Sequence, residues 1–93
     1  MAKSLSAKKR VRQAAVRTMR NKMYRSRIKT AERRLREAVE QQDAAEAAAR
    51  LQWAYKVIDK AAKRGVIHAN TAARRKARMA RIAQLATAAQ EVS

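Results

Sequence analysis

The chain has no cysteine, no proline and one glycine, and its aromatic residues are one tryptophan and two tyrosines among 93 residues. Each shortage excludes something. Without cysteine there is no disulfide framework and no thiolate metal site. Without proline, and with a single glycine at position 65, tight hairpins have almost no turn chemistry to draw on. Three aromatic residues are too few for an array of base-stacking platforms. With a single His, His68, no Cys and no carboxylate near it in the sequence, neither a metal-ligand set nor a catalytic pair is expected, and one glycine cannot make a phosphate-binding loop. No catalytic residue, metal ligand, cofactor or small-molecule substrate is expected, and the chain is not read as an enzyme. No apolar run approaches the roughly 20 residues of a membrane span, so no membrane partner is expected either.

Acid is the other scarcity. Asp and Glu number 7 against 24 Lys and Arg, giving a formal net charge of +17. From Met1 to Ala31 there is no acid at all, while Lys3, Lys8, Lys9, Arg10, Arg12, Arg17, Arg20, Lys22, Arg25, Arg27 and Lys29 follow one another. A field of this density repels itself and is relieved by a polyanion, most readily phosphates. The basic, acid-poor start also has the composition of an organelle transit peptide, but the same residues serve a nucleic-acid-binding helix.

What is abundant is alanine, a strong helix former whose small size lets helices approach closely. The fold class expected is all-α. Two places interrupt the helical pattern. At Gln41–Glu46, Asp43 can cap a helix, with Glu46 three residues on as in a capping box. At Lys63–Thr71, Lys60, Lys63 and Arg64 suit a helix C-terminus, Gly65 the left-handed residue after it, and Val66 the apolar contact that follows. Asn70, ahead of His68, is the expected cap of the next helix. The reading is one domain over 1–93, with helices at about 6–41, 44–64 and 71–91. Short connections make this an up-down-up three-helix bundle.

The apolar register shows that the first helix must overhang. Tyr24, Ile28, Ala31, Leu35, Ala38 and Val39 share one stripe, but continued backwards that stripe meets Arg20, Arg17 and Arg10. A helix charged all round has no protein core to pack on. Val16, Met19 and Met23 lie on another side, either as mobile apolar side chains or as contacts for bases and sugars. The second helix supplies Ala47, Leu51, Ala54, Ile58 and Ala61, flanked by Tyr55 and Val57. Trp53 lies opposite that stripe and is read as exposed on the bundle surface in preference to stacked on a base. The third supplies Ala72, Met79, Ile82, Leu85, Ala86 and Ala89. Arg74, Arg75, Lys76, Arg78 and Arg81 follow on the third helix, where Arg74, Arg78 and Arg81 form one stripe. The two short connections return its start beside the middle of the first helix, so both basic regions converge. Binding is expected through backbone charge and shape.

The segment from Arg64 to Arg78 follows a basic-Gly-x-Ile-His-x-Asn-x-Ala-Ala-Arg-x-Lys pattern. It resembles the turn and third helix of a bacterial ribosomal protein family, number twenty of the small subunit. Ser6-Ala7-Lys8-Lys9-Arg10 is similar to that family's N-terminal signature. Asn21, Arg25, Ser26, Lys29 and Thr30 follow its spacing, and the match spans nearly the whole chain. Lys3 and Leu5 depart from the family pattern, as does Trp53. The resemblance implies a three-helix protein that binds small-subunit ribosomal RNA directly, as a monomer within a cytoplasmic ribonucleoprotein, with its long first helix inserted among RNA helices. By position it implies Lys8, Lys9, Arg10, Asn21, Arg25, Ser26, Arg74 and Lys76 as RNA-facing residues. The charge pattern adds Arg12, Arg17, Arg20, Lys22, Arg75, Arg78 and Arg81. Charge alone would equally suit a DNA-compacting nucleoid protein. The absence of a recognition-helix pair, a β-arm or a dimer seam argues against that alternative.

Overall fold

The computed structural model describes the backbone of residues 2–92 and the side chains of residues 6–86. Three helices follow one another: α1 (Ala2–Glu40), α2 (Ala44–Lys63) and α3 (Ala69–Val92). With no glycine or proline in its length, α1 continues over 39 residues, about 58 Å at ~1.5 Å per residue. It begins at Ala2 rather than at position 6, and ends one residue earlier than the sequence suggests.

Both turns are Schellman closures, in which backbone N–H groups beyond the helix satisfy its last carbonyls. After α1, Gln42 N donates to Val39 O at 2.9 Å and Asp43 N to Ala38 O at 3.1 Å. This puts Gln42 in the left-handed region at φ 57, a conformation that usually selects glycine. The same Asp43 then caps α2, its Oδ1 accepting from Glu46 N at 3.0 Å. The capping box is only half made. The Asp43 N–H is already spent on Ala38, and the Glu46 carboxylate instead takes Arg50 Nε at 2.8 Å.

After α2, Gly65 N donates to Ala62 O at 3.0 Å and Val66 N to Ala61 O at 2.9 Å, with Gly65 at φ 76. Val66 is buried, supplying the apolar contact that completes the motif. The α3 cap differs from the sequence expectation. His68, not Asn70, precedes the helix; its Nδ1 accepts from Asn70 N at 3.0 Å and its carbonyl from Ala72 N at 3.0 Å. Helix α3 therefore starts at Ala69, two residues before the expected position, and runs to Val92 rather than 91. An imidazole nitrogen accepts as an Asn oxygen would, and sequence preference alone ranks Asn first.

The core is the stripe read from the sequence. Tyr24, Ile28, Ala31, Leu35 and Ala38 of α1 meet Ala47, Ala54, Ile58 and Ala61 of α2, and Ala72, Met79 and Ala86 of α3. Leu51, Val39 and Ile82 pack against it partly buried. Leu85 is a correction: it is 61% exposed. It sits one residue, hence about 100°, from buried Ala86, and Ala83 takes its place at the core's edge. Ala89 lies outside the residues whose side chains are described.

Seven of the thirteen core residues are alanine, so the helices approach closely but bury little area per contact. Every residue from 6 to 20 is exposed. The bundle therefore holds only the second half of α1, and the first half projects. The molecule measures 72 × 22 × 13 Å with a radius of gyration of 18.3 Å, against about 12 Å for a compact domain of this length.

Candidate nucleic-acid interface

A helix that projects from its own core exposes its whole circumference. On α1 this places Lys8, Lys9, Arg10, Arg12, Arg17 and Arg20 around the axis in every direction, all of them exposed. The apolar residues among them, Val11, Val16, Met19 and Met23, are also open to solvent, Met19 at 73%. Lys9, Arg12 and Arg17 surround Val16 and Gln13 in one continuous patch.

Where the projection enters the bundle, Thr18, Asn21, Lys22, Arg25, Ser26 and Lys29 line a groove along α1. Four of these, Asn21, Lys22, Arg25 and Ser26, are residues that the sequence nominates separately for RNA; helical spacing of three and four brings them onto one face. Thr18 and Lys29 join them. Lys29 is part of the acid-free basic run and of a motif in the sequence but is not nominated there for RNA, and Thr18 carries no signal. The groove contains no carboxylate. Thr18 and Thr30 spend their hydroxyls on the carbonyls of Ala14 (2.9 Å) and Ser26 (3.0 Å). The Asn21 amide oxygen is shut off from solvent and has no hydrogen-bond partner. Beyond Lys29 the surface of α1 changes character, as Glu32, Glu37 and Glu40 join Arg33 and Arg36. That change in charge marks the end of the purely basic face.

The five basic residues of α3 divide into two sets. Arg74, Arg78 and Arg81 are exposed, on the side of the helix away from buried Ala72 and Met79. Arg75 and Lys76 turn sideways instead. Arg75 Nη1 lies 3.3 Å from Glu32 Oε1 of α1. Lys76 Nζ lies 3.1 Å from Asp59 Oδ1 of α2 and 5.2 Å from the centre of the Tyr55 ring. These two cations thus tie α3 to both neighbours, with part of their charge neutralised inside the protein. Partly exposed ion pairs of this kind contribute about 0–1 kcal/mol each, so they orient α3 more than they stabilise it.

Chemically the arrangement can neutralise phosphates along a length of about 30 Å of projecting helix and on the outer face of α3. It offers nothing to a metal ion: among the described residues no group of three His, Cys, Asp or Glu could hold one. Nor is any helix there long and apolar enough to cross a membrane.

Comparison with known proteins bears on what the phosphates belong to. Residues 2–84 match the family model described as Ribosomal protein S20. The small ribosomal subunit protein bS20 of Symbiobacterium thermophilum is 50% identical over 93 residues, covering 100% of this chain and 96% of the relative. The bS20 protein of Desulforudis audaxviator is 51% identical over 79 residues, 85% of this chain and 90% of its own length. That of Roseiflexus sp. is 46% identical over 89 residues, covering 96% and 97% respectively.

Proposed function

The chain belongs to the ribosomal protein S20 family, and from that premise we propose that it is a structural protein of the small ribosomal subunit that binds small-subunit ribosomal RNA directly. The observation that carries this reading is the full-length match to a named small-subunit protein at 50% identity. The relatives are bacterial, and the ribosome they serve works in the cytoplasm. The role is mechanical and involves no catalysis. Where RNA helices approach one another, their phosphates repel; a basic rod laid between them replaces that repulsion with attraction on both sides. The exposed, acid-free projection of α1 suits such a position, because a rod charged around its circumference can meet phosphates on several sides at once.

The contacts proposed are Lys8, Lys9, Arg10, Arg12, Arg17 and Arg20 on the projection; Asn21, Lys22, Arg25 and Ser26 in the groove; and Arg74, Arg78 and Arg81 on α3. Arg75 and Lys76 reach RNA with the charge their partners leave, while holding α3 in place. The protein acts as one copy in the particle, since the like charge of the acid-free projection of α1 opposes pairing with a second copy through it.

The test is affinity against salt. Log affinity for small-subunit ribosomal RNA should fall linearly with log salt, with a slope corresponding to about five or more phosphates. Folded ribosomal RNA should be preferred over duplex DNA of equal length. Equal affinity for both at physiological salt would refute the ribosomal reading and support DNA compaction.

A further inference from the structure

Few as they are, two of the three aromatic residues converge. On the side where α1 meets α2, Tyr24, Arg27, Trp53, Lys56, Val57 and Lys60 line one groove. Trp53, Lys56, Val57 and Lys60 stand at i, i+3, i+4 and i+7 on a single face of α2. Tyr24 is buried beneath, while Trp53 remains 38% exposed. The groove has three cations and no carboxylate. It does not belong to the basic groove described above: Arg25 lines that one and Arg27 this one, two residues and about 200° apart around α1.

The indole is also held in place. Arg50 lies 5.9 Å from the Trp53 ring centre, outside the groove, and is itself fixed by Glu46 at 2.8 Å. On the α1 wall, Arg27 lies 5.5 Å from the centre of the Tyr24 ring. A ligand that engages both the indole and the cations of this groove is flat, apolar on its faces and anionic at its edge. A nucleotide has that chemistry: the base stacks on the indole, and the phosphates meet Arg27, Lys56 and Lys60. Neither a duplex, whose bases are hidden, nor a peptide of acidic residues without an aromatic, which lacks a π-face, satisfies both halves of the groove.

The geometry points to Trp53 as the stacking floor of a site for an unpaired nucleotide of RNA, on the α1–α2 side of the bundle, opposite the phosphate-binding face. The inference rests on the RNA-binding reading and extends it. RNA then contacts the bundle on two sides, once through backbone charge and once through a base.

Trp53 is the only tryptophan, so the intact protein reports on this site directly. A ten-residue oligoadenylate should quench Trp53 emission by more than half at saturation, while binding is followed independently by the anisotropy of a label on the RNA. A duplex RNA of equal phosphate count and a poly-glutamate of equal charge should leave the emission nearly unchanged. Trp53→Leu should weaken oligoadenylate binding about tenfold, the worth of one base–aromatic stack, without altering the salt slope. Lys56→Gln with Lys60→Gln should instead flatten the slope, while the bound oligomer still quenches. Bound oligoadenylate with unchanged emission, no binding of it at all, or equal quenching by the duplex would overturn the proposal. A matching response to poly-glutamate would also overturn it and assign the groove to an acidic protein segment. Any of these together with intact, salt-dependent binding of ribosomal RNA refutes the nucleotide site alone. Loss of ribosomal RNA binding by the unmodified chain refutes the reading beneath it.

Discussion

Neighbouring cations on one helix can have different fates, and the partners they find decide which. On α3, Arg74 and Arg78 face solvent, whereas their neighbours Arg75 and Lys76 are tied to Glu32 and Asp59. Arg74→Glu with Arg78→Glu should therefore reduce ribosomal RNA affinity at least tenfold and lower the salt slope by about two phosphates. The fair control reverses two charges on the mixed surface of α1, Arg33→Glu with Arg36→Glu, and should cost much less. Equal losses, measured by filter binding across a salt series, would mean that α3 acts only through the general field. Both bundles should stay folded, since surface changes usually shift stability by no more than about 0.5 kcal/mol. The sequence sets Arg74, Arg78 and Arg81 on one stripe but counts Arg75 and Lys76 as RNA-facing beside them. Their sideways partners are 43 and 17 positions away in the chain, and such separations leave no trace in local spacing. His68 shows the same limit at shorter range: residue preference ranked Asn70 first, and only backbone direction shows which of the two side chains can turn back on the helix start.

At the scale of the helices, the two turns use the same closure with different residues at its left-handed position. Gly65 sits at φ 76 with nothing within 4 Å of where a Cβ would stand. Gly65→Ala should thus destabilise by about 1 kcal/mol through backbone conformation alone, with no steric clash to relieve. Asp43→Ala removes the α2 cap at 3.0 Å and should also cost about 1 kcal/mol. Thermal unfolding followed by circular dichroism reads both changes. An unchanged melting temperature for Gly65→Ala would show that the turn relaxes out of the left-handed conformation. Element existence and order were legible in the sequence because punctuation is scarce: with no proline and one glycine, only two places could break a helix. The second break was readable in detail, from Gly65 to Val66. The first was less so, because Gln42 at φ 57 carries none of the usual marks of that conformation. Leu85 was misplaced for a related reason. Near the end of α3 the apolar residues spread around the axis, and only contact with α1 and α2 selects among them.

For the whole molecule, the division between a packed bundle and a projecting rod is the feature on which function depends, and it is legible in the apolar register of α1. The stripe begins at Tyr24, and burial begins there too. What the register could not show was the second groove. Trp53 looked like an isolated departure until the packing of α1 on α2 brought Tyr24 and Arg27 to it. The central claim is that residues before Tyr24 bind RNA and contribute nothing to the core. Deleting residues 1–22 removes eight basic side chains while sparing every buried residue. The most direct test is the affinity of this shortened chain for small-subunit ribosomal RNA, measured beside its thermal unfolding. Unfolding should remain cooperative, at an unchanged or higher midpoint because like charges have been removed, and affinity should fall at least a hundredfold. A shortened chain that binds as tightly as the full one, or that no longer unfolds cooperatively, would contradict the account.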